Sequence, residues 1–503
     1  MVFTNSKLIR EHSFDIIKSK YLKTSLFLPI TVVCFATFLL SFASVTLSVS
    51  LGIVLSFWLI MRGKPDGILG LFLLYFGRYY FYDVSSFVSS GGAMPDYLRE
   101  TLTVAGFPLE VQTVACGFIS LRVILEIFLR PETFKSKFPK IIFPLWIVAF
   151  LPVLIGFYLG FQDKSTNWTR GLRWLMIAGS YFYGYILAKN WPKDSNNLLV
   201  IILLPLVIVM LLLMNLSVYW SHHGFLFLGL GGAFSIYFIR NRSFMFRLLG
   251  VLLLCLSVVY ALKGSLTTMG IVSLSILFSY LGTKKQVAPS IIRTRIVKFA
   301  GTMAILWILI FSLGIGFLGY HPDFKPSLSY GSYEGTFAQR IEAKALSDRM
   351  PFWHPALKEI LSGPSFIVPS GKALILETPG LPAEWVVGAH NVFLETLRIN
   401  GLFAGTIMLA IYFLALKNNL FVLTKSADPI LRSLAAGVLG VGIVGMATGD
   451  FPADMTVGFF LWSLAGLCHG LFLQRSPLAV KSKTHYIWKK KLLAPMPKQQ
   501  MET

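Results

Sequence analysis

Apolar residues in this chain come in long unbroken blocks, not in the alternation that marks a half-buried strand. From Ser25 to Leu473 the blocks recur, and many run for about 17–22 residues, roughly what a helix needs to cross a hydrocarbon core about 30 Å thick. Only helices and closed barrels satisfy every peptide group in lipid, and continuous blocks read as helices. The pattern predicts about fourteen spans, at residues 25–42, 43–62, 67–82, 105–129, 141–161, 171–190, 197–217, 222–240, 246–262, 265–282, 296–319, 400–417, 430–449 and 454–474. Residues 25–62 form one apolar stretch in which only Ser41, Ser44 and Thr46 hint at a turn, so one span or two remains open there. The fold class is therefore an all-α polytopic membrane protein.

Composition agrees. Of 503 residues, 55% are hydrophobic and 14% charged, too little charge to cover a soluble protein of this length. The apolar run after the basic first 24 residues has no small-residue cleavage pattern and reads as a first span. The four cysteines, Cys34, Cys116, Cys255 and Cys468, are scattered through apolar blocks and read as small buried residues, not as a disulfide or zinc framework.

The net charge of +22 orients the chain. With the N-terminus in the cytoplasm, most basic residues fall on cytoplasmic segments: Lys7 to Lys23, Arg62 and Lys64, Arg130 to Lys140, Lys189 and Lys193, Arg240 to Arg247, Lys284 to Lys298, Lys417 to Arg432, and the tail from Arg475. That is the asymmetry the positive-inside rule requires. It makes the positive rim a partner for anionic membrane lipids, and not a nucleic-acid surface. The organisation that follows is a cytoplasmic segment 1–24, spans 1–11 over 25–319, an outer (periplasmic) loop 320–399, spans 12–14 over 400–474, and a basic cytoplasmic tail 475–503. A loop of this length between compact spans is usually functional.

Charges inside spans are costly and mark sites or pairs. Arg78 and Glu110, near the outer ends of neighbouring spans, are expected to pair. Arg122 and Glu126, four residues apart, are expected to form an ion pair on one helix face. Within the loop, residues 336–361 read as one or two short helices carrying Arg340, Lys344 and Arg349. Residues 363–388 are rich in glycine and proline, and then His390 and Asn391 stand where the loop meets a helix. Glu395 and Arg398 follow one turn apart, and Gly401 and Gly405 would allow close helix contact.

The stretch carried by Arg349, Trp353, Pro364, Gly371, His390, Asn391, Leu394, Leu397, Gly401, Leu402 and Gly405 resembles the O-antigen ligase and O-antigen polymerase superfamily. The resemblance is specific over residues 347–414. It implies a GT-C-like membrane glycosyltransferase of the bacterial inner membrane. Such enzymes take a glycan from an undecaprenyl-diphosphate carrier on the periplasmic side, with no nucleotide sugar, cofactor or metal. Many members carry a Ser-Arg-Gly arginine at the outer end of a central span. Here that place reads Leu262-Lys263-Gly264-Ser265, and a lysine offers a point charge, not a fork.

The chemistry such a reaction needs can be set against the residues. Cations must hold a diphosphate as it leaves, and a base must take the acceptor hydroxyl's proton. Arginine's planar fork fits the first task, and histidine's near-neutral pKa the second. His390 is the expected base. Arg170 and Arg173 at i and i+3, with Arg340, Arg349 and Lys263, are the expected diphosphate ligands; interfacial snorkelling is the alternative for the first two. Asn391, Glu395 and Trp353 are expected to support the site. Trp168, Trp174, Trp220, Trp353 and Trp385 read as interfacial belt residues able to stack on sugars. Asp450 and Asp454 read as a turn and helix cap. The expected partners are the lipid-linked donor, an acceptor glycan or lipid A-core, and other polysaccharide-assembly proteins. Polymerase, ligase and lipid-linked-sugar flippase remain three readings, the first favoured.

Overall fold

A computed structural model describes residues 45–80, 101–104, 107–130, 139–162, 170–192, 198–216, 224–263, 266–283, 356–357, 360–361, 391–448 and 457–475. In chain order the elements are α1 (Val45–Arg62), α2 (Gly67–Tyr80), β1 (Thr101–Val104), β2 (Phe107–Glu110), α3 (Val111–Leu129), α4 (Pro139–Val148), α5 (Phe150–Gln162), α6 (Arg170–Lys189), α7 (Leu198–Leu216), α8 (Phe225–Ile239), α9 (Phe244–Lys263), α10 (Leu266–Thr283), α11 (Val392–Lys425), α12 (Pro429–Thr448) and α13 (Gly458–Arg475). Helices lie in every expected span except 25–42 and 296–319, which fall outside the described residues. Among the described residues, four stretches are long and apolar enough to cross a membrane by themselves: Ile141–Tyr158, Phe244–Leu262, Val392–Lys425 and Pro429–Ala447. The chain is a helical membrane protein.

Among the described residues the architecture is helical apart from one short antiparallel hairpin, in which Val104 of β1 stands opposite Phe107 of β2. Several boundaries are corrected. Glu110 ends the hairpin and α3 begins at Val111, so this span starts later than residue 105. Pro108 removes a backbone donor and suits the short strand better than a helix interior. The helix expected from residue 400 begins at Val392 and runs to Lys425, which carries Lys417 into the helix. Cys116 and Cys468 are buried as expected, but Cys255 is exposed on α9.

Exposure separates two kinds of helix. On α4–α5, Ile141, Leu145, Leu151 and Leu154 are exposed, and on α9 so are Phe244, Leu248, Val251 and Leu262. Such faces belong against lipid tails. By contrast α6, α8, α12 and α13 are almost wholly buried. Lipid removes the hydrophobic drive between helices, so these pack by close approach and by hydrogen bonds. Glycines permit the approach. A methyl on Gly184 of α6 would overlap the backbone of Ser463 and Leu467 on α13, and one on Gly466 would overlap the Tyr181 carbonyl. The Ser463 hydroxyl donates to the Ser180 carbonyl across the same seam.

Hydrogen bonds gather one end of the bundle. Asn190 donates to the Gly63 carbonyl, Gln474 to that of Ala188, Arg432 to that of Gly282 and Arg240 to that of Tyr280, and Arg475 pairs with Asp428 at 2.6 Å. These contacts bring Arg62, Lys189, Arg240, Arg432 and Arg475 to one end, here called the basic end. The starts of α6 and α13 lie at the other.

Candidate functional site

The distinctive feature of that other end is a corner in α11. A straight helix of 34 residues would be about 50 Å long, far more than a hydrocarbon core needs. The chain breaks at Gly401, with φ 70° and ψ 171°, a conformation open essentially only to glycine. The short arm Val392–Asn400 folds back on the long arm so closely that a methyl on Gly405 would come within 2.9 Å of the Thr396 carbonyl. Gly405 thus serves close packing, as expected. Gly401 serves the bend instead.

The arm starts at Asn391, whose Oδ1 accepts from the Phe393 and Leu394 amides at 2.9 and 3.3 Å. This N-cap satisfies donors that a helix start leaves open. One turn in, Glu395 and Arg398 are both 0% exposed and joined as a fork: Arg398 Nη2 donates to Oε1 at 2.8 Å and Nε to Oε2 at 3.1 Å. Asn391, Glu395 and Arg398 share one face of the arm; Thr396 and Asn400, four residues apart, share another. Asn400 Nδ2 donates to the Thr396 carbonyl at 3.2 Å. Against this second face lies the start of α6, where a methyl on Gly171 would stand 3.1 Å from both Asn400 Oδ1 and Ile399 Cγ2.

The start of α6 carries two of the expected diphosphate ligands. Arg173 is 9% exposed, and Trp174 beside it is 3% exposed, so this tryptophan is a core residue and not a belt residue. Arg170 is the first residue of α6, and Lys263 the last of α9. His390, Arg340, Arg349 and Trp353 lie outside the described residues, as do Asp450 and Asp454. The structure therefore sets the α6 start against Ile399 and Asn400 of the arm, whose other face carries Asn391 and the Glu395–Arg398 pair. Among the described residues no group of His, Cys, Asp and Glu could hold a metal ion.

Two further polar clusters lie deeper. Nearer the basic end, His469 Nδ1 of α13 bonds to the hydroxyl of Tyr185 and, at 3.2 Å, to that of Tyr181, both on α6. Asn418 of α11 donates to Tyr181 at 2.9 Å, so three helices meet on one buried network. Sequence reasoning missed it, although Tyr181 and Tyr185 four apart and a histidine in an apolar run were visible signals. At the basic end itself, Arg122 and Glu126 pair at 2.6 Å, as their spacing implied, and Lys189 stands 3.8 Å from the same carboxylate. In the turn between α1 and α2, Asp66 meets Arg62 at 2.6 Å; burial outweighs the pull of Arg62 and Lys64 and raises its pKa above the ordinary value.

No family model matches this chain, and no curated protein matches it.

Proposed function

We propose that the chain is a glycosyltransferase of the bacterial inner membrane, with about fourteen spans, that extends a surface polysaccharide. It would move an undecaprenyl-diphosphate-linked glycan onto an acceptor glycan at the periplasmic face. In this reading the basic end is cytoplasmic, which puts the α11 corner outside. The observation that carries the reading is that corner: a nine-residue arm immediately after His390, capped by Asn391, with an ion pair buried inside it and packed on the start of α6. Burying an ion pair is expensive unless its geometry is good, and here two hydrogen bonds supply that geometry.

The reaction forms a bond from the acceptor hydroxyl oxygen to the anomeric carbon and breaks the bond from that carbon to the diphosphate. His390 takes the hydroxyl proton. Arg170 and Arg173, with Arg340, Arg349 and Lys263 from other segments, neutralise the departing diphosphate. The Asn391 cap fixes where the helix that follows His390 in sequence starts. A single displacement inverts the anomeric centre.

The test is complementation of a strain lacking the chain, with surface polysaccharide resolved by gel. Loss of polymer in His390→Ala, leaving single repeat units on the core, supports a polymerase. Full chains stranded on the lipid carrier would make the protein a ligase, and normal polysaccharide would refute the catalytic assignment.

A further inference from the structure

The second face of the arm contains two buried polar atoms without a hydrogen-bond partner among the described residues. Thr396 and Asn400 are each 0% exposed. Thr396 Oγ1 and Asn400 Oδ1 nevertheless have no hydrogen-bond partner among the described residues. A buried helical threonine ordinarily donates back to a carbonyl of the preceding turn, and a buried amide oxygen ordinarily accepts at least one bond. The amide's orientation is fixed by its other half. Nδ2 donates to the Thr396 carbonyl, and exchanging the two atoms would set oxygen against oxygen. Oδ1 is therefore the atom left over, and it faces Gly171, which has no side chain to reach it.

Resting on the transferase reading, we infer that Thr396 and Asn400 form the subsite that binds hydroxyls of the acceptor sugar. The chemistry of the pair selects this class of ligand. Asn400 Oδ1 only accepts, so its partner must bring an O–H or N–H; a phosphate at neutral pH offers neither and is repelled. Thr396 Oγ1 both donates and accepts, which matches the dual character of a sugar hydroxyl. Donor and acceptor substrates thus part company across the start of α6: the diphosphate goes to the arginines, and the uncharged sugar goes to the arm. Both atoms are buried in this structure, so entry requires the arm to swing from α6. The backbone at Gly401 is the place where it turns.

The two atoms also set a test that a purely structural role would fail. A buried polar atom without a partner costs stability, so its removal by a residue of the same shape leaves the fold as stable or more so. Thr396→Val, Asn400→Leu and the control Thr396→Ser would be made in the full chain and purified in detergent. Each would be measured for thermal unfolding and for binding two probes. The first probe is oligosaccharide released by mild acid from the host strain's own surface polysaccharide; the second is undecaprenyl diphosphate. For Thr396→Val the expected result is an unfolding temperature equal to or above the parent, and for both Thr396→Val and Asn400→Leu oligosaccharide binding about tenfold weaker with unchanged binding of undecaprenyl diphosphate. Thr396→Ser should behave as the parent does. Cells complemented with Thr396→Val or Asn400→Leu would then show shortened polysaccharide. Unchanged oligosaccharide binding in both variants would overturn the inference and leave the pair to a buried water. A fall in the unfolding temperature of Thr396→Val would overturn it too, by showing that Thr396 Oγ1 is partnered in the folded protein. His390→Ala separates the two claims: normal polymer in that variant sinks the transferase reading, whereas loss of polymer there with normal polymer in both arm variants sinks the subsite alone.

Discussion

The Glu395–Arg398 pair yields the sharpest energetic expectation. Both side chains are completely buried and joined by two hydrogen bonds, of 2.8 and 3.1 Å. Removing either charge takes this two-bond fork away from the other in a fully buried site, which costs about 3–5 kcal/mol. Replacing both with apolar residues of similar size removes the two desolvation penalties together and is expected to land within about 1 kcal/mol of the parent, or to gain stability. The perturbations are Glu395→Leu, Arg398→Met and the double variant, a cycle whose coupling energy would be about 5 kcal/mol or more. Unfolding in detergent, titrated with a denaturing surfactant and read by tryptophan fluorescence, gives the stabilities. Cellular polysaccharide gives the function. If the pair is there to hold the arm and aim the residue before Asn391, the double variant is stable yet inactive. Single variants that lose less than about 1 kcal/mol, or a double variant that loses the sum of both, would refute the picture of a dry, mutually dependent pair.

Other expectations follow from the same geometry. Gly401→Ala forces a side chain onto a glycine-only backbone conformation and should cost about 1–3 kcal/mol, visible as a lower unfolding temperature, with parental stability as the refuting result. His469→Phe keeps the ring volume but removes the bonds to Tyr181 and Tyr185, an expected loss of about 1 kcal/mol; the Tyr185→Phe variant should lose no more than this one. Asp66 has a pKa above its ordinary 3.8 because burial disfavours the carboxylate. The native state therefore holds its proton to higher pH than the unfolded chain, and the cost of ionising it is absent below the ordinary value and complete above the raised one. Asp66→Asn escapes that cost, so its unfolding temperature relative to the parent should climb as pH rises from about 4 towards neutrality. A difference that shrinks instead would mean that the Arg62 pair dominates.

What the sequence revealed and what it hid divide along physical lines. Span positions depend on local apolarity, and so helices could be placed within a few residues over 43–62, 67–82, 171–190, 197–217, 222–240, 246–262, 265–282, 430–449 and 454–474, whereas the starts expected at 105 and 400 fall at Val111 and Val392. Arg122–Glu126 and Glu395–Arg398 were legible because helical spacing alone brings such pairs together. The corner at Gly401 was not, because glycine every fourth residue signals close packing as readily as a bend, and only length (a 34-residue helix in a core of about 30 Å) separates the two. The β1–β2 hairpin hid because Phe107 and Leu109 merge into the apolar run of α3. The network of Tyr181, Tyr185, Asn418 and His469 depends on contacts between residues hundreds of positions apart, for which a single chain carries no periodic signal.

The seam between α6 and α13 has a consequence for biogenesis. Tyr185 and its partner His469 are separated by 284 positions, and Gly184 waits just as long for the backbone it fits. As the chain emerges from the ribosome, α6 enters the bilayer with its polar seam facing lipid or a temporary companion, and it keeps that state until α13 arrives. That helix therefore acts as a keystone: the arginine-bearing α6 gains this neighbour only after α7 to α12 have been made. A chain released before Gly458 would leave the α6 seam uncovered and open to degradation.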